Sequence, residues 1–142
     1  MRPKIIGAIC LLAIVAGAWV FLGRAKRLGY IDSAIGSIRV LVVAETKFAQ
    51  SHPSAGYTCT LSALSGDELI AQLGRDHTRN GYIFEISGCL AKDVKRPGDK
   101  YQITARPLLT GVPAYCSDQS GIVKYDAGGS TQKCLQSGVP IG

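Results

Sequence analysis

The sequence predicts an α+β protein in which a long N-terminal helix packs on a small antiparallel sheet. Three observations lead there. An uncharged apolar run of 18 residues, "IIGAICLLAIVAGAWVFL" from Ile5 to Leu22, stands near the start. After Arg27, apolar residues recur at Leu28, Ile31, Ile35, Ile38 and Val42, the alternating three-and-four step of one helical face. Further on, "GYIFEIS" and "KYQITARP" alternate apolar and polar residues, the period of half-buried strands.

At 1.5 Å per residue the apolar run spans about 27 Å, close to the hydrocarbon thickness of a bilayer. Arg2 and Lys4 flank it on one side and Arg24, Lys26 and Arg27 on the other. Residues 1–27 therefore read as a membrane anchor with basic flanks. Ile5, Leu11, Leu12, Ile14, Val15, Trp19, Phe21 and Leu22 are its lipid-facing candidates. The run is longer than the apolar core of a typical signal peptide, which favours retention. Cleavage after Ala18 or Ala25 is the alternative. Cys10 follows the bulky Ile9, which disfavours a lipoprotein site and leaves it a helix residue.

The formal charge of +6 does not describe a nucleic-acid binder. Five of the 16 Lys and Arg residues lie at or before Arg27 and all ten acids lie beyond it, so the rest of the chain is only +1. Cations at membrane flanks meet anionic headgroups. No basic stripe remains to follow a phosphate backbone.

Cys59, Cys89, Cys116 and Cys134 lie beyond the apolar run, with no CxxC pair and no zinc-finger histidine spacing. An even count behind an export segment points to two disulfides in an oxidising compartment. Four cysteines allow three pairings. Cys59 with Cys89 and Cys116 with Cys134 is favoured because each bond then closes a local loop.

Residues 28–142 form the exterior domain, with a helix over 28–51 and an α+β head over 52–142. Ala44 and Phe48 extend a second apolar stripe on the helix, a bend is expected near Gly29, and His52-Pro53 ends the pattern. "GYTCTLSAL" suggests a turn and a short extended piece. "SGDELIAQLG" reads as a short helix, capped by Ser65 or Asp67 and stopped at Gly74. Tyr82, Phe84 and Ile86 face one side of a strand; Tyr101, Ile103 and Ala105 do so in the next, which Pro107 ends. The polar "LAKDVKRPGD" is the loop between them. "AYC" and "GIVKY" are strand-like, with "SDQS" as the turn between. The tail "DAGGSTQKCLQSGVPIG" is small and polar and would fray unless a Cys116–Cys134 bond folded it back.

This arrangement resembles the type IV pilins and pseudopilins. The phrases that carry the likeness are "AIGSIRVLVVAETKFA", "GYTCTLSAL", "GYIFEISGC", "YQITARP" and "CSDQSGIVKYDAGGS", in that order over residues 28–134. The resemblance implies a structural subunit, or a minor component, of a pilus-like or type II secretion-like assembly. Such a protein is held by its helix and has no active site. It sits in the inner membrane with a periplasmic head, or in a surface filament. The family leader ends in Gly with Glu at the fifth place of the mature chain. Here Leu12 holds the fifth place after Gly7, and the first acid of the chain is Asp32.

Tyr30, Ile31 and Ile35 are the expected subunit contacts, and Val42 and Phe48 are expected to pack within the head. The partners implied are the membrane and other pilin-like subunits, with no nucleic acid, small-molecule substrate or cofactor. Catalytic residues and resident metals are not expected. His52 in "SHPSAG" and His77 beside Asp76 in "GRDHTRNG" lie in polar loops without a ligand set. Asp118 and Asp126 are the candidates for a C-terminal calcium loop, and turn formation is the preferred role for both. A secreted, disulfide-stabilised binding domain released by signal-peptide cleavage is the alternative function.

Overall fold

The computed structural model describes residues 3–89 and 98–142. The side chains of residues 3–14, 16 and 27 fall outside that description, as does most of the expected polar loop, 90–97. The chain divides into two compact units, Met1–Asp32 and Ser33–Gly142.

Helix α1 runs without interruption over Pro3–Ser51. Pro3 opens it at the first position, where the missing N–H has no partner to lose. At the far end the His52 N–H donates to the Phe48 carbonyl at 2.9 Å and its ring stacks on Phe48 at 4.2 Å. Pro53 follows and cannot continue the helix. The helix carries through Gly29 as helix.

Within the Ser33–Gly142 unit, α1 buries Ala34, Ser37, Ile38, Leu41, Ala44 and Glu45. This stripe corrects the expected one. Ile35 and Val42 are only half-buried and Val43 is exposed, so the face is rotated from the Ile31–Ile35–Ile38–Val42 line. Apolar residues lie on nearly every side of this stretch, and the period alone does not choose among them. Burial of Ser37 is tolerated because its hydroxyl donates to the Ser33 carbonyl at 2.8 Å.

The segment after α1 makes a turn and a backbone bridge from Gly56 to Gly98, then a single 3-10 turn, Leu61–Ala63, that the sequence did not suggest. Helix α2 follows over Glu68–Asp76, and the Asp67 side chain caps it by accepting from the Ile70 N–H. Gly74 does not stop it. The helix ends instead at His77, in the left-handed conformation at φ 57°. Gly74 serves close packing, because a Cβ there would lie 3.2 Å from Ser62 Cα in the 3-10 turn.

Among the described residues six antiparallel strands follow in simple sequence order, β1 Thr78–Arg79, β2 Tyr82–Ser87, β3 Gln102–Pro107, β4 Ala114–Asp118, β5 Lys124–Asp126 and β6 Val139–Pro140. The polar stretch around His77 forms the first hairpin rather than a loop. It turns on Asn80-Gly81, both at positive φ (43° and 78°), the conformation that suits the twist of a two-residue hairpin. The register places Phe84, Ala105 and Tyr115 in one row and Ile86, Ile103 and Ser117 in the next, all buried. These rows, the α1 stripe and the buried Leu61, Ile70 and Leu73 belong to the core. The opposite face carries exposed Glu85 and Arg106 beside buried Thr104 and Cys116.

The tail does not fray. Thr131–Ser137 forms helix α3, capped by Ser130, whose hydroxyl accepts from the Lys133 N–H. Beyond it, β6 pairs with β5 through Lys124↔Pro140 and Tyr125↔Val139. The predicted strands "AYC" and "GIVKY" are present, shifted so that β4 runs on to Asp118 and β5 begins at Lys124.

One backbone contact ties the loop after α1 to the start of β3. The Tyr57 N–H donates to the Gly98 carbonyl and the Gly98 N–H to the Ala55 carbonyl, each at 2.9 Å. Gly56 sits at φ +72°, and a Cβ there would lie 2.2 Å from the Gly98 oxygen. Gly56→Ala is therefore expected to lower stability by about 2 kcal/mol or more in chemical denaturation. Gly36→Ala, at an open helical position with nothing within 4 Å, is expected to raise it by roughly 0.5–1 kcal/mol.

Candidate functional site

The cysteines form two disulfides, Cys59–Cys89 and Cys116–Cys134, separated by 30 and 18 residues of chain. The first joins the segment after α1 to the end of β2. The second joins the centre of β4 to α3 across the sheet face that also carries Thr104, and Cys134 is fully buried there. A bond closing a loop of this size stabilises by about 3 kcal/mol through the entropy removed from the unfolded chain. It holds a seven-residue helix too short to persist alone.

Glu45 is the residue the sequence reading missed. It lies on the core side of α1 and is 0% exposed. One oxygen, Oε2, accepts the Thr58 N–H at 3.0 Å. The other, Oε1, is buried with no hydrogen-bond partner among the described residues. Burial raises the carboxyl pKa to about 7, and the Thr58 bond opposes the shift only in part. Tyr101 lies nearby, edge-on to Tyr57 with ring centroids 4.7 Å apart. Its phenol is held well above the ordinary range by burial, then by the negative charge of its neighbours Tyr57, Glu45 and Asp118 when ionised. The signal in the sequence is positional. Glu45 stands seven residues after Ile38 and four after Leu41, on the face those two residues define.

The candidate catalytic and calcium residues are engaged in structure. His52 and His77 each close a helix, through ring stacking and through a left-handed cap. Asp118 holds the β4–β5 turn by accepting the Ser120 N–H at 2.8 Å, and Lys124 lies 3.7 Å from its other oxygen. Partial burial pushes the Asp118 pKa up, but the Ser120 bonds and the Lys124 charge outweigh it and the net shift is downward. Asp126 accepts the Ser130 N–H at 2.9 Å in the approach to α3. Asp126 pairs across from Ala114, four residues along β4 from Asp118, so the two aspartates are separated by about 13 Å of strand. No group of three or more metal-ligating side chains occurs among the described residues.

In the Met1–Asp32 unit, Val15, Trp19, Phe21 and Leu22 are exposed, Trp19 to 75%. The side chains of Ile5, Leu11, Leu12 and Ile14 lie outside the described residues. Among the described residues no helix is long and apolar enough to cross a membrane. Of the expected subunit contacts, Tyr30 is exposed and Ile31 half-buried in this unit, while Ile35 is half-buried in the Ser33–Gly142 unit. That second unit also carries an open groove of about 410 Å³ between α1 and α2, whose lining includes Arg39, Val40, Val43, Lys47, Asp67 and Ile70.

Replacing Cys116 and Cys134 together by Ser is expected to lower the stability of the oxidised protein by about 3 kcal/mol. The measurement is denaturant unfolding with the Cys59–Cys89 bond intact, and an unchanged midpoint would remove the tail bond from the account. Comparison of the chain with protein-family models, with curated proteins and with solved structures finds no match in any of the three.

Proposed function

We propose that the chain is a non-enzymatic structural subunit, or minor component, of a type IV pilus-like or type II secretion-like assembly, anchored by its N-terminal helix. One observation carries this reading. The apolar run from Ile5 to Leu22 lies wholly within helix α1, and its consecutive residues Trp19, Val20, Phe21 and Leu22 are all exposed. Successive positions point about 100° apart, so four in a row turn apolar surface to every side. A helix apolar all round belongs in lipid or among other helices. Basic residues at both ends of the run suit headgroups, and a disulfide-bonded head suits the oxidising side of the membrane. The pilin-like part of the proposal rests on the ordered phrases of residues 28–134.

A second reading, a secreted binding domain freed by cleavage, is favoured by the compact Ser33–Gly142 unit, which holds both disulfides. Intact mass and detergent partitioning of the protein from its native envelope separate the two. A mass beginning at Met1, or just after Gly7, with partitioning into detergent is the expected result. A mass beginning near Trp19 or Lys26, in the aqueous phase, would overturn the anchor.

The assembly reading also places Ile35 at a subunit contact. Ile35→Asp is expected to weaken association on the order of tenfold or more in detergent. Sedimentation measures the association, and an unchanged near-ultraviolet spectrum reports the folded head. Loss of that spectrum would assign Ile35 to the core of its own chain instead.

A further inference from the structure

We propose that the Glu45 carboxyl is a proton-operated latch between helix α1 and the Ala55–Thr58 segment. When protonated it holds the segment closed, and when ionised it favours release.

The side-chain hydrogen bonds that join α1 to the remainder of the Ser33–Gly142 unit include the following pair. Asn80 Nδ2 donates to Ser33 Oγ at 2.7 Å, and the Thr58 N–H donates to Glu45 Oε2 at 3.0 Å. The first is exposed and neutral. The second ends on a fully buried titratable group. Thr58 is also a junction. Tyr57 before it is bonded to Gly98, and Cys59 after it is bonded to Cys89. The single contact between Glu45 and Thr58 therefore connects α1 to a segment that reaches both β2 and the approach to β3.

A neutral carboxyl suits this place. Its Oε2 accepts from Thr58, and the proton on Oε1 removes the charge that the interior would otherwise hold. An ionised carboxylate has one donor instead of the two or three that a buried charge needs. The titratable group beside it is the phenol of Tyr101, which has Tyr57 and Asp118 as its own neighbours. None is a cation. The two ion pairs among the described residues, Arg75–Glu68 and Lys124–Asp118, do not involve Glu45.

The direction follows from proton linkage. The closed form binds the Glu45 proton up to about pH 7, while a solvated carboxyl releases it near 4.5. Below pH 4.5 both forms are protonated and the latch has its full strength. Between those values the closed form holds a proton the open form has lost, so closure weakens tenfold per pH unit. Above about pH 7 both forms are ionised and the weakening stops. Across the interval the opening equilibrium rises by up to roughly 300-fold. The inference concerns the head alone and stands whether or not the chain is an assembly subunit.

The test is amide hydrogen exchange on the full chain in detergent from pH 5 to 8.5, corrected for the intrinsic pH dependence of exchange. The opening constants of the Thr58 and Gly98 amides are expected to rise steeply to about pH 7 and then level, while that of Phe84 in β2 stays flat. In Glu45→Gln, which keeps an acceptor for Thr58 and cannot ionise, the Thr58 profile is expected to be flat. Carbon-13 titration of the Glu45 carboxyl in the unsubstituted protein needs no variant and is expected to give a midpoint near 7. A carboxyl midpoint near 4.5, a flat Thr58 profile, or the same profile in Glu45→Gln would each overturn the latch.

Discussion

The head depends on which stripe of α1 is turned inward. Between Ser33 and Ser51 the helix could present several apolar faces, and it buries the line through Ala34, Ile38, Leu41 and Glu45. Full burial of residues such as Ile38 and Leu41 contributes about 1.5–3 kcal/mol each, and their position fixes what lies opposite. Ala34, Ser37 and Ala44 on the same stripe are small residues and are buried too. A rotation of one residue would bring Ile35 and Val42 inward and turn Leu41 and Ala44 out. It would also remove Glu45 from reach of Thr58.

The polar residues that looked most like chemistry are occupied with backbone. His52 and His77 finish helices, Asp67 and Ser130 begin them, and Asp118 and Asp126 order turns. Each satisfies N–H or C=O groups that a helix end or tight turn leaves without partners. A domain this small has few regular elements and many ends, so its Asp, Ser and His residues are drawn to them. Glu45 is the exception, because its carboxyl is in the interior rather than at an end.

How far these features were legible in the sequence depends on how local their causes are. Strict alternation in "GYIFEIS" and "KYQITARP" gave β2 and β3 correctly, since a strand with one dry face writes its own period. The Asn80-Gly81 hairpin was equally local and was passed over because the strand before it has only two residues. Helix phase was misjudged because Ile31, Ile35, Val40, Val42 and Val43 surround the true stripe with apolar alternatives. Gly74 looked like a stop by residue type, but its role depends on a contact with Ser62 that no local pattern records. Glu45 was invisible for a related reason. A carboxylate between apolar neighbours reads as the wet side of a helix, and only its spacing from Ile38 and Leu41 says otherwise. The return of the tail was legible in the favoured Cys116–Cys134 pairing, whereas helix α3 within its small polar residues was not.

The two strands that border the sheet, β1 and β6, have two residues each, and β6 ends in Pro140, which has no N–H to offer. A border this brief gives an incoming strand almost no ladder to copy, and proline interrupts even that. At these two borders growth by strand addition, the route by which exposed β edges recruit further chains into cross-β aggregates, is disfavoured. Crowding many such heads together would present no long template at either border.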